Sequence, residues 1–76
     1  MNTIKNDKEL EFAIFCVENI AIRLNRDAKE VYEALTVKSN ILNDYIIPCF
    51  DILHTQGKEY IIDDILDVMR ERGVAV

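Results

Sequence analysis

Residues 58–72 read KEYIIDDILDVMRER, and their apolar side chains recur at a helical period. A strand over the EYIIDDI portion would require apolar and polar residues to alternate, whereas the helical period continues unchanged through Met69. Gly73 follows directly and suits the end of a helix. The stretch therefore predicts an amphipathic helix over residues 58–72, with one apolar side that consists of Ile61, Ile62, Ile65, Leu66, Val68 and Met69.

The amino-terminal part of the chain predicts a second long helix, over residues 7–24. Asn6 and Glu9 have the spacing of an N-cap residue and its reciprocal partner, which together bind free backbone N–H groups. At 100° per residue, a broad apolar side is predicted to face the core. The residues of this side are Leu10, Ala13, Ile14, Val17, Ile20, Ala21 and Leu24.

The middle of the chain predicts two further helices, over residues 28–37 and 41–55. Asp27 and Glu30 repeat the capping spacing before the first of these. The second contains Pro48, which lacks a backbone N–H and crowds the preceding turn. We therefore expect either a kink near Pro48 or a helix that restarts there.

The composition agrees with a single all-α domain over residues 1–76, built as a bundle of about four helices. Half of the residues are hydrophobic, 30% are charged, and only two glycines and one proline interrupt the chain. A chain this short buries about 60% of the surface that its unfolded form exposes, so its stability margin is expected to be narrow. Small domains often gain stability from a partner subunit.

The net charge and the lack of a targeting segment indicate which partners and which cellular location to expect. The net charge of −5 and the scattered Lys and Arg residues disfavour nucleic-acid binding. Neither a signal peptide nor a membrane span is visible, which predicts a cytoplasmic protein. Cys16 and Cys49 are then expected to be reduced thiols, since their separation matches no common zinc or redox spacing.

No set of residues predicts a catalytic, cofactor or metal site. Asp51 and His54 could share a metal on one helix, but metal sites need three or four ligands. Cys49 and His54 lie five residues apart and point in different directions around a helix. The acidic side chains of Asp63 and Asp67 indicate a solvated face more readily than a calcium site. The sequence predicts a protein that is not an enzyme.

His54 and Gly57 are predicted to form a structural corner between the last two helices. A histidine in the last turn of a helix can bind free carbonyl groups and interacts favourably with the helix dipole. Gly57 is predicted to occupy the left-handed conformation that ends the third helix.

A group of apolar residues falls outside the predicted core side of the first helix. Phe15 and Ile22 lie within its polar side, and Phe12 and Tyr60 are candidates to join them. Exposed apolar patches mark partner surfaces. The alternative is that the first helix is central and contacted on two sides. A homodimer that buries these residues satisfies both interpretations.

Three segments of the chain resemble a family of short bacterial proteins known as domain of unknown function thirty-seven ninety-one. They are FAIFCVENIAIRLN, KEVYEAL and YIIPCFDILHTQGKEYIIDDILDVMRERG, and the most specific parts are LHTQGKEYIIDDI and the upstream DYIIP. The family has no established activity, so the resemblance assigns no site residue. Its members lie beside other small genes, some similar to ADP-ribosyltransferases, which implies a toxin–antitoxin-like or accessory role.

These observations together predict a helical protein–protein interaction module that self-associates, binds a protein partner, or does both. An antitoxin-like partner of a neighbouring toxin-type protein is the role that the resemblance implies. The alternative is a small nucleic-acid-binding regulator, because residues 28–37, a turn and residues 41–55 resemble a helix-turn-helix. Its recognition helix would carry aspartates and no clustered arginine, which argues against it.

Overall fold

The structure is a computed structural model that describes residues 7–75. Its elements are α1 (Asp7–Leu24), α2 (Ala28–Thr36), a π-helical segment (Leu42–Ile46), α3 (Phe50–Leu53) and α4 (Lys58–Glu71). The all-helical prediction is confirmed, and no strand occurs within this range. The predicted cap at Asn6 lies outside the described residues.

Helices α1 and α2 form a hairpin whose turn is fixed by backbone and side-chain hydrogen bonds. Asn25 has a φ of 55°, the left-handed conformation that commonly follows the end of a helix. The predicted capping box is present, since the Asp27 carboxylate accepts from the Lys29 N–H at 2.9 Å and Glu30 accepts from the Asp27 N–H at 3.4 Å. Helix α2 ends one residue before its predicted limit, and Val37 is its C-cap.

The third predicted helix is not one kinked helix over residues 41–55. The Ile47 N–H donates to the Leu42 carbonyl at 2.9 Å, which is the wider π-type turn, and helix α3 begins at Phe50. Pro48 accounts for the interruption because it has no N–H and its ring crowds the preceding turn. The other prediction, that a helix restarts near Pro48, agrees better with the structure, although the new helix begins at Phe50 and not at Pro48.

The predicted left-handed conformation of Gly57 is wrong. Its φ of −69° and ψ of 157° are extended, and it is the N-cap residue of α4. Gly57 directly precedes α4, and an N-cap residue typically has an extended backbone conformation. Gly73, with a φ of 69°, does adopt the left-handed conformation after α4, as predicted.

One apolar core joins all the helical elements. Helix α1 lies over this core but is rotated relative to the predicted orientation. Leu10 and Ile14 are 44% and 47% exposed, whereas Phe12 and Cys16 are buried. The side of α1 that enters the core consists of Phe12, Ala13, Cys16, Val17, Ile20 and Ala21.

Candidate interaction surface

The four residues predicted to form a partner surface do not share one environment. Phe12 is only 7% exposed and belongs to the core, which corrects its assignment to an exposed surface. Its ring lies 6.1 Å from that of half-buried Phe15 and 5.3 Å from that of Phe50. These distances are those of aromatic pairs that stabilise a folded chain.

Ile22 and Tyr60 remain exposed, at 76% and 57%. Ile22 lies in a shallow depression with Asn19 and the first residues of α4. Tyr60 lies close enough to Tyr45 to interact with it electrostatically. Two exposed apolar side chains make a weak case for a binding surface, because single exposed apolar residues are normal.

His54 has the contacts of a residue that completes a helix end. Its ring stacks on Phe50 with a centroid separation of 4.4 Å, and Nδ1 lies 2.6 Å from the Phe50 carbonyl oxygen. Since a carbonyl only accepts, Nδ1 carries the hydrogen and donates it. Among residues 7–75, no group of three or more His, Cys, Asp or Glu side chains could hold a metal ion.

Cys16 lacks the surroundings of a reactive thiol. Cys16 is fully buried, and burial raises its pKa to about 12. Reactive thiols need the opposite shift, toward a stable thiolate. Cys49 is half-buried, and both thiols are free.

Sequence reasoning missed an open groove between α1 and α2, which we call the α1–α2 groove. It encloses about 700 Å³, and three partly exposed apolar side chains line it: Leu10, Ile14 and Tyr32, the last being 52% exposed. The remaining wall residues are Ala13, Val17, Glu18, Ala28, Lys29, Thr36, Leu42 and Asn43.

The lengths of the helices explain why the groove stays open. Helix α1 has 18 residues and α2 has nine, so at a rise of about 1.5 Å per residue α2 covers only half of its neighbour. The amino-terminal half of α1 therefore keeps Leu10 and Ile14 partly in solvent. The sequence already predicted that α2 is shorter than α1, and this difference in helix length was the signal for the groove.

Charged side chains occupy both walls of the α1–α2 groove. Glu18 is on the α1 wall and Lys29 on the α2 wall. The ion pairs formed among residues 7–75 lie elsewhere: Arg23 with Glu59 and Asp63, and the pairs Arg26–Glu30, Arg70–Asp67 and Arg72–Asp44. Glu18 and Lys29 thus point into a groove without an ion-pair partner within residues 7–75.

Helix α4 is tied to its neighbours by polar contacts of its side chains. Arg23 donates from Nη2 to Glu59 at 2.6 Å and from Nη1 to Asp63 at 2.6 Å. The Tyr45 hydroxyl donates to the Asp64 carboxylate, and this hydrogen bond is the main reason that the pKa of Tyr45 lies above its ordinary value.

No helix within residues 7–75 has the length and apolar character needed to cross a membrane. Comparison with curated proteins found no match, and comparison with solved structures found none either. A family model described as "Protein of unknown function (DUF3791)" matches residues 11–72, which include every helix except the first four residues of α1. The chain therefore belongs to the DUF3791 family of proteins of unknown function.

Proposed function

We propose that this chain is a non-enzymatic helical interaction module that binds a protein partner in the α1–α2 groove. The observation that carries the proposal is the partial exposure of Leu10, Ile14 and Tyr32 around one groove. Covering partly exposed apolar side chains releases about 25 cal/mol per Å² of apolar surface removed from water. The groove therefore offers binding energy that the folded chain does not use internally.

The groove fits a helix better than an extended peptide. Its walls are α1, α2 and the start of the π-helical segment, and it displays no sheet edge whose backbone groups could pair with a strand. An amphipathic helix binds such a groove through apolar residues spaced one turn apart. We accordingly propose a helical partner segment.

The biological role that we propose is that of an antitoxin-like or accessory partner, acting in the cytoplasm. This role rests on the family resemblance and on the acidic charge of the chain. An acidic module can restrain a basic partner by steering it electrostatically to the binding surface.

Nucleic-acid binding is the weaker candidate. The element that would serve as a recognition helix is a π-helical segment followed by the four-residue α3. Residues 41–56 contain Asp44 and Asp51 but no Lys or Arg, so they offer no cation to a phosphate backbone.

Affinity capture of the tagged chain from its own host tests the proposal when three forms are compared. These are the wild type, the double variant Leu10→Gln/Ile14→Gln, and Ile22→Gln as the matched control. Ile22 lies on the same helix but outside the groove, and glutamine is a good helix former in all three positions. Circular dichroism establishes that each variant is folded.

We expect a stoichiometric protein to be retained by the wild type and by Ile22→Gln and to be lost from the groove variant. Loss from Ile22→Gln alone would move the binding surface to the side predicted from the sequence. Failure of any form to retain a protein or to self-associate would contradict an interaction module.

A further inference from the structure

We propose that the occupant of the α1–α2 groove is a second copy of this chain, placed so that Glu18 of each copy pairs with Lys29 of the partner subunit. This inference rests on the proposed function, because it names the partner of the same surface. It requires the two copies to be related by a two-fold axis that runs along the groove.

The charges on the groove walls are complementary to themselves under such an axis. Glu18 belongs to the α1 wall and Lys29 to the α2 wall, and no other residue in the described range forms an ion pair with either. A two-fold interface makes every contact twice, with the roles of the two copies exchanged. An axis along the groove places α1 of one copy over α2 of the other, so an acid faces a base in both halves.

The apolar residues of the groove fit the same arrangement. Leu10 and Ile14 are four residues apart and form a ridge along α1. The small side chains of Ala13, Val17 and Ala28 line the groove beside this ridge. The ridge of one copy can therefore enter the groove of the other, as ridges enter grooves in ordinary helix packing.

The mixed charge of the walls favours a second copy over a uniformly basic helix. The net charge of −5 attracts basic partners over long distances, but a basic helix in the groove would meet Lys29. Only an occupant with one acidic and one basic edge satisfies both walls. A second copy has both edges, because it carries the same Glu18 and Lys29 on its own groove walls.

Charge reversal provides the test. The dimer dissociation constant is measured by sedimentation equilibrium for the wild type, Glu18→Lys, Lys29→Glu and an equimolar mixture of the two variants. Each variant alone places like charges opposite one another twice per dimer, so we expect its dissociation constant to rise on the order of tenfold. In the mixture, both pairs regain opposite signs, so heterodimers should form at close to wild-type affinity. Native mass spectrometry distinguishes the heterodimer by its mass.

Glu71→Lys is the matched control, because it changes the net charge as Glu18→Lys does but lies at the end of α4. General repulsion between acidic chains predicts that both substitutions tighten association, since both reduce the negative charge. A loss of association in Glu18→Lys but not in Glu71→Lys therefore identifies a local pair.

Two results would overturn the inference. One is a wild-type chain that remains monomeric throughout the concentration series. The other is a dimer whose dissociation constant is unchanged in both Glu18→Lys and Lys29→Glu. Neither result decides the proposed function, because affinity capture tests that function independently. The groove could still retain a different host protein, and Leu10→Gln/Ile14→Gln would then abolish its retention.

Discussion

Helix α1 has two flanks that differ in how their polar and apolar groups are satisfied. On the flank toward α4, Arg23 donates to both Glu59 and Asp63. On the flank toward α2, Leu10 and Ile14 remain partly exposed beside the α1–α2 groove. We call the first flank closed because ion pairs join it to α4, although Ile22 beside them is exposed, and we call the second flank open.

The difference separates residues that hold the fold from residues that are available to a partner. Closed contacts contribute to folding and leave little energy for binding, whereas an open apolar wall contributes only when something covers it. We therefore expect substitutions on the closed side to change stability and substitutions on the open side to change association.

The same substitution at two positions of α1 measures the contrast directly. Ile20 is fully buried, so Ile20→Ala should lower the free energy of unfolding by about 2–5 kcal/mol through lost burial and a cavity. Ile14 is only half covered, so Ile14→Ala should cost about 1 kcal/mol. Urea unfolding followed by circular dichroism gives both values. Equal losses would show that Ile14 is as much a part of the core as Ile20.

The contact between Tyr45 and Asp64 anchors the side of α4 that faces the π-helical segment. Removing this partly buried hydrogen bond with Tyr45→Phe should lower the free energy of unfolding by about 1 kcal/mol at neutral pH. An unchanged free energy of unfolding would show that the contact is replaced by solvent without loss.

The raised pKa of Tyr45 also predicts a pH dependence with a definite sign. As the pH rises above about 10, an unfolded tyrosine loses its proton while folded Tyr45 keeps it, so the unfolded state binds fewer protons. The free energy of unfolding must then fall as the pH rises through that range. Tyr45→Phe should fall less steeply than the wild type over the same range. Identical slopes would contradict the shift.

The ion pairs of Arg23 should give the smallest effect. Its carboxylate partners hold the pKa of the guanidinium above its ordinary value, but Glu59 and Asp63 are mostly exposed. Arg23→Gln should therefore cause a slight destabilisation that shrinks as salt is added, because salt screens exposed pairs. Melting temperatures of both forms across a salt series check this. A difference that persists at high salt would indicate lost packing instead of lost charge pairing.

The sequence predicted the parts of the fold that local chemistry controls. The capping box of Asp27 and Glu30 starts α2 at the predicted residue, Ala28. Gly73 follows α4 in the left-handed conformation that glycine adopts readily. Both outcomes depend on neighbours within a few residues. The conformation of Gly57 was missed because Gly57 starts α4 instead of ending α3.

The candidate surface was harder to predict, because exposure depends on which helix covers which. Phe12 was assigned to a partner surface on periodicity, but Phe50 packs against its ring from a segment 38 positions away in the sequence. Leu10 and Ile14 were assigned to the core on the same periodicity, yet α2 is too short to cover them. A helical period identifies an apolar side and leaves its orientation to tertiary packing.

The measurement that tests the open groove most directly is a dilution series followed by amide NMR spectra of the uniformly labelled wild-type chain. The account predicts that the resonances which shift with concentration belong to the α1–α2 groove, around Leu10, Ile14 and Tyr32. Resonances near Ile22 and Lys58, at the closed junction with α4, should stay fixed. Shifts confined to that junction, or no dependence on concentration, would contradict self-association through the groove.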